Sequence, residues 1–170
     1  MEQVKPLTVR ALAESIRPRA DEDGIAFVSR RIRHWTLAGA LDTIGEARSG
    51  VGRHRRYARE TAYFAAVLDA LADLGLPIDA LKKVGEQLRN WYREDGYARR
   101  GWDYALAGKG TVYLWTEVSL SSGDPDRDWV RVSIEDEKSL ERRKGRLPMD
   151  AAVMLNLTAA FKRVAAPEVL

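Results

Sequence analysis

Nine residues have the types and spacing to grip a polyanion. Ser29, Arg30, Arg31, Arg33 and His34 form one cluster, and Arg53, His54, Arg55 and Arg56 form another. A guanidinium donates paired hydrogen bonds to phosphate oxygens, and the same fork matches O6 and N7 of guanine. Between Gly24 and Glu60 there are eight arginines against three acids, Asp42, Glu46 and Glu60. That local excess of +5 is larger than the +3 of the whole chain. The cationic charge is therefore concentrated, as a DNA-binding surface requires. The plainer reading is a solvated basic face, which any surface helix can carry.

The elements that must position these residues follow from apolar periodicity. Val28, Ile32, Trp35 and Thr36 fall on one side of a helix at about 100° per residue. Arg30, Arg31 and His34 fall opposite, with Arg33 flanking. The pattern predicts a helix from Ser29, as N-cap, to about Ala38. Gly39 ends it and Leu41 returns to the core. An earlier helix runs from Thr8, its N-cap, to Ile16. Arg17 to Gly24, with Pro18 and Gly24 as breakers, reads as a long loop between the two.

Asp42 to Arg56 contains Gly45, Gly50 and Gly52, which predicts a hairpin with its tip near Ser49-Gly50. Strand alternation sends Arg53 and Arg55 to one face and His54 and Arg56 to the other, so the four cannot all meet one partner. Tyr57 and Trp35 are expected in the core.

Beyond residue 58, apolar spacing predicts helices over Arg59–Leu74 and from Ile78 to about Tyr92. A shorter one passes through Tyr97, Trp102 and Leu106. Thr111–Leu120 and Trp129–Ile134 are β-branched and aromatic and flank a turn cluster, so they read as an antiparallel pair. Glu135–Arg146 is densely charged and reads as a solvated loop or helix. Ala151–Thr158 is a third apolar run, followed by a terminal helix over Ala159–Val164. The class is α+β, with one unit at 1–93 and a small antiparallel-sheet module at 94–170. The aromatics of the second half (Trp91, Tyr92, Tyr97, Trp102, Tyr104, Tyr113, Trp115, Trp129) suit a core or dimer interface better than a pocket for an apolar or cationic ligand.

Composition excludes much else. The chain has no cysteine, which removes disulfides, thiolate metal sites and iron–sulfur clusters. Its two histidines both lie in the basic clusters. No serine sits in a nucleophile elbow, no glycine pattern matches a P-loop or dinucleotide fingerprint, and Glu135, Asp136 and Glu137 lack the apolar context that tunes a general acid. No catalytic residue, metal or cofactor is expected. No apolar run approaches the roughly 20 residues of a membrane span. The first residues lack the apolar core of a secretory signal, so the expected location is the cytoplasm.

Four segments, in order, resemble the MerR family of winged helix-turn-helix proteins over residues 6 to 90. Leu7–Ile16 fits its first helix. Ile32-Arg33-His34-Trp35-Thr36-Leu37-Ala38-Gly39-Ala40-Leu41 resembles its recognition-helix segment. Arg53-His54-Arg55-Arg56-Tyr57 looks like its wing signature, and Leu74-Gly75-Leu76-Pro77-Ile78-Asp79 is similar to its corner between helices. His34 and Trp35 stand where the family has a tyrosine pair, and His54 replaces the wing tyrosine. The resemblance implies a dimeric regulator of transcription that reads double-stranded DNA, with Arg30 and Arg33 at base- or phosphate-contacting positions and Arg55 on the backbone or minor groove. Phage excisionases share this unit and bend DNA, which leaves an architectural role as the alternative. Their usual brevity favours the regulator for a chain of this length.

Overall fold

The computed structural model describes residues 5–45, 55–94, 96–119, 129–143 and 151–164. Thr8 caps the first helix, α1 (Val9–Ile16), by accepting the Ala11 N–H at 3.1 Å. The second helix, α2 (Glu22–Leu37), begins well before Ser29. Asp21 is its true N-cap, accepting the Gly24 N–H at 2.9 Å, and Glu22 and Asp23 place negative charge in the positive first turn. A helical glycine costs about 1 kcal/mol, which a good N-cap roughly offsets. Gly24 therefore sits inside the helix, and the connection from α1 shrinks to residues 17–21.

The end of α2 is a full Schellman turn. Gly39 takes φ +81°, its N–H reaches the Thr36 carbonyl at 3.2 Å, and the Ala40 N–H reaches that of Trp35 at 2.8 Å. The same motif closes α3 (Thr61–Asp73) at Gly75, with φ +87°. Helices α4 (Ile78–Arg93) and α5 (Tyr97–Leu106) follow.

After α5 the described residues form a three-stranded antiparallel sheet with two helices. Strand β1 (Val112–Ser119) lies between β2 (Trp129–Asp136) and β3 (Ala151–Asn156). In register, Leu114 stands opposite Ile134 on one side and Leu155 on the other. The expected antiparallel pair is present, and the third apolar run adds the far edge. The charged stretch after β2 supplies α6 (Glu137–Arg143). Helix α7 (Leu157–Arg163) starts at Asn156, whose side chain accepts the Ala159 N–H at 2.8 Å. Thr158 locks α7 to the sheet: its hydroxyl accepts the Val112 N–H at 3.1 Å and donates to the Gly110 carbonyl at 2.8 Å.

Residues from both sides of position 93 build one hydrophobic core, from Leu7 to Val164. Its centre is aromatic. The Trp102 ring lies 5.2 Å from Phe64 and 4.5 Å from Phe161, and Tyr63 meets Phe161 edge-on at 5.3 Å. Trp102 is 1% exposed, so it is core, whereas Tyr97 and Tyr104 on the same helix remain exposed. Among the described residues no helix is long and apolar enough to cross a membrane. Truncating Phe161 or Trp102 to alanine should cost about 3–5 kcal/mol of stability, read by urea unfolding of the full chain. A loss below about 1 kcal/mol for both would contradict a core shared by the two halves.

Candidate nucleic-acid interface

The outward strip of α2 is built by its period. Arg30, Arg33 and His34 are exposed, flanked by Phe27 and Leu37, while Val28, Ile32, Trp35 and Thr36 are buried. Among the described residues no ion pair engages Arg30, Arg33 or His34.

Two members of the expected cluster point elsewhere. Ser29 is 6% exposed and lies mid-helix, on the buried side, so it neither caps α2 nor offers a hydroxyl to solvent. Arg31 is not on the open face. It flanks the strip, and its long side chain turns back to α3, where Nη1 lies 2.9 Å from Asp69 and 2.6 Å from Asp73. Arg17, the C-cap of α1, completes the cluster through Nε to Asp69 at 2.6 Å and Nη2 to Asp73. The Phe27 ring stacks on the Arg31 guanidinium at 4.5 Å. The cause is Asp69. A carboxylate only 6% exposed must be paired, and α1 and α2 supply the cations. Burial by itself would lower the Arg31 pKa, but the hydrogen bonds to Asp73 and Asp69 outweigh it and raise it, fixing the cation.

Arg53 and His54 lie outside the described residues. The chain from Arg55 to Tyr57 is anchored by backbone pairing. Leu7 and Tyr57 exchange two hydrogen bonds of 2.9 Å, and the Ile44 N–H reaches the Arg56 carbonyl at 2.8 Å. Tyr57 is buried with its hydroxyl 2.9 Å from that of Thr36, which joins this segment to α2. Burial raises the Tyr57 phenol pKa, while the Thr36 hydrogen bond and the charges of Arg55 and Arg33 pull it back. Arg55, half-buried, and Arg33, exposed, thus bear on one phenol from two elements. Arg56 is exposed, as alternation from buried Tyr57 requires.

The sequence did not flag the contacts that hold α2 at its angle. Arg89 on α4 donates through Nη1 to the Ala40 carbonyl and through Nη2 to that of Gly39 at 3.0 Å. Its Nε pairs with Asp42 at 3.1 Å, and Arg93 joins at 3.3 Å. A Cβ at Gly85 would lie 2.1 Å from the Ala40 oxygen, so only glycine lets α4 approach this turn. The signal for it was a glycine inside an amphipathic helix, at a buried position between Val84 and Leu88. Among the described residues no group of His, Asp or Glu could hold a metal ion.

No protein-family model matches the chain, and no curated protein matches its sequence. Gly85→Ala should lower stability by about 1–3 kcal/mol through overpacking against backbone. Gly96→Ala, where nothing lies within 4 Å of the added carbon, is the control. Equal unfolding midpoints for the two variants would refute the close approach.

Proposed function

We propose that the chain is a sequence-specific, DNA-binding regulator of transcription, of the MerR type. In this reading α1, the turn at 17–21 and α2 form the helix-turn-helix. The wing would be the hairpin expected over Asp42–Arg56, of which residues 46–54, with the tip near Ser49-Gly50, lie outside the described residues. The outward strip of α2 enters the major groove, and the wing rests on the backbone. The carrying observation is how the arginines are sorted. Arg17 and Arg31 are neutralised by Asp69 and Asp73, whereas Arg30, Arg33 and His34 are exposed on one helical strip and form no ion pair among the described residues. Cations held away from intramolecular acids meet phosphates and guanines without first breaking an ion pair.

This sorting separates three kinds of variant, measured by fluorescence anisotropy on a duplex selected from a randomised pool. Arg30→Ala should lose discrimination between sequences by about 1–3 kcal/mol. Arg56→Ala should weaken all duplexes alike. Arg31→Ala should act first on stability, by leaving buried Asp69 short of a partner, and lower the urea midpoint. Arg30→Ala that bound the selected duplex at wild-type strength would sink the helix assignment.

One such unit reads a short site, so two copies are proposed to act together, with the exposed Tyr97 and Tyr104 of α5 as part of the contact between them. If each copy neutralises about four or five phosphates, log K for the pair falls with log salt at a slope of about −7 to −9. A flat salt response would overturn the electrostatic reading. Light scattering that showed only monomers, with and without DNA, would overturn the pairing.

A further inference from the structure

A cleft of about 880 Å³ opens beside the Arg17–Asp69 cluster, bounded by the turn between α1 and α2, by α3 and by the junction of β3 with α7. Ligand sites of small organic molecules fall in about this size range, at roughly 300–1,000 Å³. Small side chains keep the volume open: Ala66 and Ala70 lie one turn apart on α3, and Ala159 and Ala160 face them from α7.

The rim is cationic, with Arg17 and Arg19 on one side and Lys162 and Arg163 on the other. The acids that border the cleft, Asp69 and Asp73, are already bound by Arg17 and Arg31. Arg19, Lys162 and Arg163 are exposed and form no ion pair among the described residues. Arg17 spends Nε and Nη2 on the carboxylates, and its Nη1 makes no hydrogen bond among the described residues. Among the described residues, three cations without an ion pair and a guanidinium edge without a hydrogen bond thus surround an apolar, alanine-walled space.

We propose that this cleft binds a small organic anion, its acid group held by Arg17, Arg19, Lys162 and Arg163 and its apolar body laid against the alanine walls. An acid group at Arg17 competes with Asp69 and Asp73 for that guanidinium. The same two carboxylates hold Arg31, the neighbour of Arg30 on α2. Occupancy of the cleft therefore loosens the tie between α2 and α3 and weakens DNA binding. This regulatory part rests on the DNA-binding reading; the binding site itself does not.

The test uses the full chain and two fluorescent probes, anilinonaphthalene sulfonate and its uncharged counterpart N-phenylnaphthylamine. The sulfonate should bind saturably. The exposed-residue variant Lys162→Gln/Arg163→Gln should weaken it by about tenfold, as expected for the loss of charged hydrogen bonds, and leave the neutral probe unchanged. Ala70→Leu should exclude both probes, with circular dichroism confirming that the variant is folded. Absence of saturable binding, or sulfonate binding indifferent to the charge variant, overturns the site. If the charge variant weakens a DNA duplex but not the sulfonate, the rim is a phosphate contact of nucleic acid and the proposal fails. Saturating sulfonate should release the selected duplex from the wild type but not from Ala70→Leu. Sulfonate binding without any effect on DNA overturns the regulatory part alone, and a protein that binds the probe but no DNA overturns the function proposed above.

Discussion

The C-terminal end of α2 is held by one seat, the turn at Gly39–Ala40 resting on α4. A helix end leaves carbonyls without partners, and this one is buried against another helix. The Schellman bonds satisfy those of Trp35 and Thr36, and Arg89 satisfies those of Gly39 and Ala40. Gly85 supplies the room. Because α4 also packs on α3, the seat fixes α2 relative to the rest of the core. A slack contact here would blur the position of every side chain on the outward strip by an amplified amount, since Arg30 lies more than two turns from the hinge point.

The basic segment is not one surface but two populations of charge. Asp69 and Asp73 on α3 recruit Arg17 and Arg31 into a four-membered cluster that ties three helices together, and Phe27 stacks over the Arg31 guanidinium. The remaining cations of α2 stay in water. Partial burial makes the cluster sensitive to the loss of any one member, because an orphaned charge near the core costs more than an intact pair gains.

Much of this was legible in the residue pattern. The 3.6-residue period separated Ile32, Trp35 and Thr36 from Arg30 and His34, and left-handed glycines marked the ends of α2 and α3. β-Branched and aromatic runs on either side of a turn cluster marked β1 and β2. Three things were not legible. The start of α2 was obscured because Gly24 resembles a breaker, and only the Asp21 cap shows that it is helical. The periodicity places Arg31 with Arg30 and His34 opposite the apolar side, but its inward turn is dictated by Asp69, thirty-eight residues away along the chain. The cleft by α7 needs the sheet to fold back on α3, a long-range packing that neither period nor propensity encodes.

The aromatic centre also sets an order of events during synthesis. Phe64 and Tyr63 leave the ribosome roughly a hundred residues before Phe161, which at about 5–20 residues per second is a wait of some 5–20 s. Through that interval α3 has no α7 to cover it. The nascent chain therefore carries the apolar face of α3 uncovered through that interval. Only the arrival of α7 brings Phe161 against Tyr63 and Trp102 and covers that face.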